Sequence, residues 1–174
     1  LDKIKVTILI TSYNRINDLK ETINKCDDIS YSNTEILIVD NGSTDGSDIF
    51  IKNLPDKYKK ILIKDNRGSV YAHNLGMKNS SGSYIFTLDD DCFIKPDIIK
   101  PCIDIFEKYP NLGAIGFGFQ NPNVYFDENQ YLKKTNFNLN EIQNTKLSYQ
   151  IIATSGAVFR KKALDKSKYY DLNF

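Results

Sequence analysis

The sequence predicts an α/β domain, a mostly parallel sheet flanked by helices. Short apolar runs rich in β-branched residues recur along the chain, the kind that lie buried on both faces of a sheet. Each of the first four is followed by a segment with helical spacing. That alternation is the pattern of parallel strands joined by right-handed crossovers. Polar clusters sit just past the C-terminal ends of these runs: Thr11–Arg15 (TSYNR), Asp40-Asn41, Asn66-Arg67-Gly68 and Asp89–Asp91. In open α/β sheets ligands bind along that edge, near the point where strand order reverses.

In chain order, Val6–Ile10 (VTILI) is the first predicted strand, and Asn17 is placed to cap a helix carrying Leu19, Ile23 and Cys26 on one face. The second strand, Glu35–Val39 (EILIV), runs into the turn-forming NGSTDGS. There Asp45 or Ser47 is placed to cap a helix through Ile49 and Leu54. Ile61–Lys64 is the third strand, followed by DNRGS and a helix over about Ser69–Asn79. Tyr84–Leu88 is the fourth, and Pro96 fits the first position of a helix reaching Tyr109. Leu112–Phe117, Ser148–Ala153 and Ala157–Arg160 complete the strands. Between them Asn121–Asn144, polar and rich in Asn, predicts a long excursion across one face. There is no internal repeat and no linker.

Bulk properties narrow the function classes. At 174 residues, 41% hydrophobic, 26% charged and formal net charge +1, the chain is one ordinary globular domain by length and composition. It lacks the basic excess of a nucleic-acid binder. Cys26, Cys92 and Cys102 form no CxxC pair, which suits a reducing compartment and packed thiols better than disulfides or zinc. The sequence starts at Leu1, consistent with a trimmed start, and shows neither a signal peptide nor a membrane-length apolar run. A cytoplasmic location is expected, with peripheral contact at the inner membrane face left open.

The most informative stretch is Gly82–Pro96, GSYIFTLDDDCFIKP, where a buried strand stops at three consecutive carboxylates. Acids gathered at a sheet rim repel one another and need water or a cation. Cys92, a soft thiol beside hard carboxylates, is expected to pack rather than ligate. An EF-hand loop is excluded by the missing glycine and terminal Glu.

Taken together, VTILITSYNR, EILIVDNGSTDGS, DNRGSVYAHNLGMKNSSGSYIFTLDDD, Pro96-Asp97 and SGAVFRKKAL resemble, in collinear order, the family 2 glycosyltransferases. That resemblance implies the GT-A fold, a Rossmann-like nucleotide-sugar domain. Residues 1–118 would be the donor-binding half, and residues 119–174 the beginning of the acceptor side. It implies that Tyr13 flanks the nucleobase, that Thr11 and Arg15 line the same pocket, and that Asp40 accepts hydrogen bonds from base or ribose. Asn66, Arg67 and Gly68 match the loop reaching the nucleotide, with Arg67 toward phosphate. Asp89-Asp90-Asp91 resembles the DXD motif, so Asp89 and Asp90 would contact the nucleotide, and Asp91 with Asp89 would hold Mn²⁺ or Mg²⁺.

Each residue also has a purely structural reading. Tyr13 can cap the sheet edge, Asp40 can open an Asx turn, and Arg67 can simply be solvated. His73, the sole histidine, lies where relatives often carry Arg and fits core filling better than catalysis. Arg160-Lys161-Lys162 and Lys133-Lys134 fit solvated faces or contacts to an anionic acceptor or lipid headgroup, and Gly156 a tight backbone.

The implied reaction is metal-dependent, inverting transfer of a sugar from a UDP- or GDP-type donor to the hydroxyl of a glycan or lipid-linked acceptor, in polysaccharide or glycoconjugate synthesis. No catalytic base is assigned: the family's base lies further along, beyond Phe174, and Asp171 matches the residue upstream of it. Two alternatives stand beside this. One is a donor-binding module without catalysis. The other is a haloacid-dehalogenase-like phosphatase, disfavoured because its DxD follows the first strand rather than the fourth.

Overall fold

The computed structural model describes residues 3–116 and 155–171. Six strands form one sheet in the order β3-β2-β1-β4-β6-β5. They are β1 (Val6–Ser12), β2 (Thr34–Asn41), β3 (Tyr58–Ile63), β4 (Tyr84–Asp89), β5 (Ala114–Gly116) and β6 (Ala157–Arg160). The helices among the described residues are α1 (Ile16–Cys26), α2 (Ser47–Lys52), α3 (Ser69–Asn79), α4 (Ile99–Lys108) and α5 (Lys161–Ser167).

β1 is the centre of the sheet, and every one of its seven residues is buried. β1, β2, β3 and β4 pair in parallel. Strand alternation divides β1 between two cores. Val6, Ile8 and Ile10 pack on one face with Leu19 and Ile23 of α1 and Phe106 of α4. Leu9 packs on the other face with Leu37, Ala72 and Met77 of α3, and Leu164 of α5.

Several boundaries differ from expectation. The sheet is mixed on its far side, because β6 pairs antiparallel with both β4 and β5. The expected fifth strand begins at Ala114 rather than Leu112, and β6 lies between it and β4. β3 starts at Tyr58 rather than Ile61 and ends at Ile63. Its Lys59 and Lys60 are acceptable on an outer strand, because their ammonium groups donate to backbone carbonyls, Lys59 to Asn79 and Lys60 to Lys52 and Leu54.

α4 starts at Ile99, not Pro96: the Pro96 carbonyl accepts hydrogen bonds from the backbone N–H (3.1 Å) and hydroxyl (2.9 Å) of Ser30. α1 starts at Ile16, one residue before the expected Asn17 cap, and Gly46 occupies the cap position of α2. The Asp45 carboxylate serves both helix starts from outside them, accepting from the N–H of Ile16 (2.9 Å) and of Ser47 (3.0 Å). One carboxylate satisfying two orphan helix donors fixes α1 against α2. Asn121–Asn144, Ser148–Ala153, Phe117 and Lys133-Lys134 lie outside the described residues.

At the opposite edge of the sheet, Glu35 accepts from the Thr7 hydroxyl (2.8 Å) and the Ser81 N–H (2.9 Å) and hydroxyl (2.6 Å). Burial raises its pKa, but these donors and Lys59 outweigh burial and leave it below the ordinary glutamate value. Its stabilising contribution is therefore complete above that ordinary value and lost as pH falls through the lowered one. In denaturant titrations, Glu35→Gln is expected to cost about 1–3 kcal/mol near neutrality. The two proteins should converge in stability toward acid pH.

Candidate active site

The strand order locates the site. From β1 the chain passes outward to β2 and β3, then returns to place β4 on the other side of β1. The switch in direction lies between β1 and β4, and a crevice of about 400 Å³ opens there at the C-terminal strand ends. Thr11 and Ser12 end β1, with Asp40 beside Ser12 on β2 and Asp89 beside Thr11 on β4. Thr11, Ser12, Tyr13, Arg15, Asn41, Asn66, Gly68, Ser69, Ala72 and the three aspartates line it.

The three aspartates have separate environments. Asp90 is buried and turned inward, where its Oδ2 accepts from the Ser12 hydroxyl (2.9 Å) and the Tyr13 N–H (3.2 Å). Its carbonyl accepts from the Thr22 hydroxyl of α1 at 2.8 Å. Burial pushes its carboxyl above the ordinary value, against the pull of those two donors and of Arg15. Asp89 and Asp91 keep their side chains 44% and 45% exposed, open to the crevice. The Asp89 N–H donates to the Ser155 hydroxyl (2.9 Å), which fixes the end of β4 against β6. Asp91 is ion-paired with Arg15, whose Nη1 also lies 3.9 Å from Asp90. Three carboxylates and one guanidinium line the crevice among the described residues, so its charge favours a further cation.

The opposite wall is an amide clasp. Asn41 donates from Nδ2 to Asn66 Oδ1 (3.1 Å) and accepts the Arg67 N–H on Oδ1 (3.0 Å), while Asn66 Oδ1 also takes the Gly68 N–H (2.8 Å). Gly42 lies directly beneath. Its φ is +80°, and a Cβ there would stand 2.6 Å from the Asn66 nitrogen. The Tyr13 loop is joined to the same turn: Asn14 donates its N–H to Ser43 Oγ (2.9 Å) and accepts the Thr44 N–H (2.7 Å).

Two expected nucleotide contacts lie off the crevice lining. The Asp40 carboxylate is buried in its own turn, with Oδ2 accepting from the N–H groups of Gly42 (3.2 Å) and Ser43 (3.0 Å). That is the Asx turn of its structural reading, although Oδ1 has no hydrogen-bond partner among the described residues. The Arg67 guanidinium lies over Tyr71, 4.9 Å from the ring centroid, and only its backbone joins the clasp.

His73 is buried behind the floor, 1% exposed. Its Nδ1–H donates to the Ser69 carbonyl (2.9 Å), a bond that turns the Nε2 lone pair toward the Thr11 hydroxyl at 3.4 Å. Asp89 Oδ1 is 3.9 Å from Nε2. Cys92 packs against the core.

Ser12 and Asn41 line the crevice, although the sequence points to their neighbours. Alternation at a strand end sends adjacent side chains to opposite sides, so only three-dimensional register distinguishes Asn41 from Asp40.

Asp90→Ala is expected to leave the Ser12 hydroxyl and Tyr13 N–H unpaired, costing about 1–3 kcal/mol. Asp90→Asn, which keeps an acceptor oxygen, should cost less. Urea denaturation of the two variants checks the order.

The model of the glycosyl transferase family 2 matches residues 7–167. The chain belongs to that family. The family 2 chain is 27% identical, over 95% of its own length and 26% of the relative's, to the glycosyltransferase GlyA of Streptococcus pneumoniae serotype 4. It is 30% identical to a poly-β-1,6-N-acetyl-D-glucosamine synthase of Staphylococcus aureus, over 63% of the chain and 27% of that protein. It superimposes with a TM-score of 0.74 on the mannosyltransferase PcManGT of Pyrobaculum calidifontis, a structure in complex with GDP-Man and Mn²⁺. That match is 17% identical and covers 98% of this chain and 48% of that one, and it shows the GT-A fold. The family 2 chain thus spans about half of that solved structure and less of the curated relatives. No helix among the described residues is long and apolar enough to cross a membrane.

Proposed function

We propose that the crevice binds a nucleotide-diphosphate sugar with Mn²⁺ or Mg²⁺ and that the protein transfers the sugar, with inversion, to an acceptor hydroxyl. The observation that carries this is the convergence of the β1, β2, β3 and β4 loops on an acidic crevice at the sheet's switch point. Tyr13, 44% exposed at the mouth, offers a ring face to the base. Thr11, Ser12, Asn41 and Asn66 offer polar groups to ribose and phosphate. Asp40 Oδ1, buried and without a hydrogen-bond partner among the described residues, would be uncovered to meet a base or ribose donor.

Among the described residues no three His, Cys, Asp or Glu side chains are grouped to hold a metal by themselves. Two open carboxylates, Asp89 and Asp91, instead suit an ion that keeps coordination positions for substrate phosphate oxygens. In that site the bound ion would supply Lewis-acid stabilisation of the charge developing on the diphosphate. Asp90 does not reach outward. It holds the Ser12–Tyr13 segment at the angle the donor needs.

Residues 1–118 are assigned to the donor half and 119–174 to the start of the acceptor side, and no residue is assigned as base. The likeness to a polysaccharide synthase and to a GDP-Man complex supports a polysaccharide or glycoconjugate role and leaves both UDP- and GDP-sugars as donors. The cytoplasmic face of the membrane is the matching location. A donor screen on the full-length protein, reading nucleoside diphosphate release with Mn²⁺ and glycan acceptors, tests the reading. Release dependent on acceptor from one donor class supports it, and release from none of them refutes it.

A further inference from the structure

Arg15 is the one cation among the described residues that line the crevice, and it pairs with the aspartate that best fits a metal ligand. We propose that Arg15 is a resident counter-ion that occupies Asp91 until a nucleoside diphosphate draws it away, so that metal binding is conditional on the donor. The inference rests on the donor-site reading above and adds an order of events to it.

The geometry supports a movable guanidinium on a fixed base. The Arg15 backbone is anchored at the start of α1, its carbonyl accepting the Leu19 N–H at 2.9 Å. The side chain is 51% exposed and reaches Asp91 along its full stem. No other hydrogen bond ties the guanidinium down among the described contacts; its second neighbour, Asp90 Oδ1, is at 3.9 Å. Asp90 cannot follow Arg15 outward, because Ser12 and Tyr13 hold it. Among the described residues the other hydrogen bond to the Asp91 carboxylate is from the weak Cys92 thiol donor at 3.4 Å.

A guanidinium hydrogen-bonded to Asp91 covers oxygen lone pairs that a divalent ion must use. With no anion present, Arg15 and the metal therefore compete for the same carboxylate. A diphosphate offers the planar Arg15 guanidinium a bidentate partner of higher charge than one carboxylate. Transfer of the guanidinium to phosphate uncovers Asp91 while bringing in the phosphate oxygens that complete the metal's coordination. Coupling of this kind is reciprocal: whatever factor the nucleotide adds to metal affinity, the metal adds to nucleotide affinity.

The test is Mn²⁺ binding followed by the electron paramagnetic resonance of the free ion. It is made on the full-length wild type, Arg15→Gln and the double variant Arg15→Gln/Asp91→Asn, each alone and with saturating UDP or GDP. Without nucleotide, Arg15→Gln is expected to bind Mn²⁺ at least about fivefold more tightly than wild type. The double variant should lose that gain, and the tightening produced by nucleotide should be smaller in Arg15→Gln than in wild type. Equal or weaker Mn²⁺ binding by nucleotide-free Arg15→Gln overturns the proposal, as does a gain that survives loss of Asp91. Failure of the donor-site reading looks different: neither UDP nor GDP would then alter Mn²⁺ binding by the wild type.

Discussion

Asp91→Asn is expected to lower sugar transfer by at least about 100-fold at saturating donor, the scale on which loss of one charge-stabilising group acts. The amide keeps the shape of the side chain and removes the negative charge that Arg15 pairs with and that the proposed divalent ion would use. Asp91 is exposed, and its partner Arg15 is also half in water, so stability should change by no more than about 0.5 kcal/mol. Activity and stability are therefore expected to separate. Asp89→Asn should behave alike, with one difference: its backbone N–H still holds Ser155, so the end of β4 stays in place. Steady-state release of nucleoside diphosphate, set beside thermal melts of the same preparations, decides the matter. Near wild-type turnover in both variants would remove these carboxylates from the chemistry.

Gly42→Ala is expected to damage the crevice from the other side. At φ +80° an L side chain adds about 1–2 kcal/mol of backbone strain. The new Cβ would also stand 2.6 Å from the Asn66 backbone nitrogen, which cannot rotate away as a side chain tip can. With overpacking included, the loss should reach about 2–4 kcal/mol. Donor affinity should fall with it, since Asn66 and Gly68 form that wall. Gly46→Ala is the matched control. It has φ +95° and only the Ile16 methyl at 3.7 Å, so it should show the strain without the collision. Equal effects at the two glycines, measured by urea denaturation and nucleotide titration, would mean that contact with the Asn66 loop is not what Gly42 provides.

Much of this site is legible in the sequence because strand ends concentrate it. Four apolar runs each stop at a polar cluster, and parallel pairing brings the four stops to one edge. The structure keeps Thr11, Tyr13, Arg15, Asn66, Gly68 and all three aspartates on the crevice lining. Orientation at the rim is less legible. Three identical acids in a row give no clue that the middle one turns inward, a choice made by Ser12, the Tyr13 N–H and Thr22, residues more than sixty positions away.

The exchange of Asp40 for Asn41 has the same origin. A shift of one residue on a strand reverses the side chain's face, and the sequence pattern at a strand end is too short to fix it. The strand β6 is legible as Ala157–Arg160, but its antiparallel direction is not, for another reason. Its four residues pair with β4 across some seventy positions, and so short a strand is placed by tertiary contact rather than by local pattern. Arg67 shows the limit of a motif match. Asn66 and Gly68 line the crevice, while the guanidinium of Arg67 between them lies over Tyr71.

In the proposed donor crevice the open carboxylates, Asp89 and Asp91, would hold a divalent ion against a nucleoside diphosphate. Titration calorimetry of the full-length protein with UDP and GDP, each with and without Mn²⁺, tests this most directly. The expected result is saturable binding of one nucleotide class that strengthens with Mn²⁺, with the Mn²⁺ enhancement abolished by the Asp89→Asn/Asp91→Asn double substitution. Absence of binding by either nucleotide, or an enhancement that persists without both carboxylates, would contradict the account.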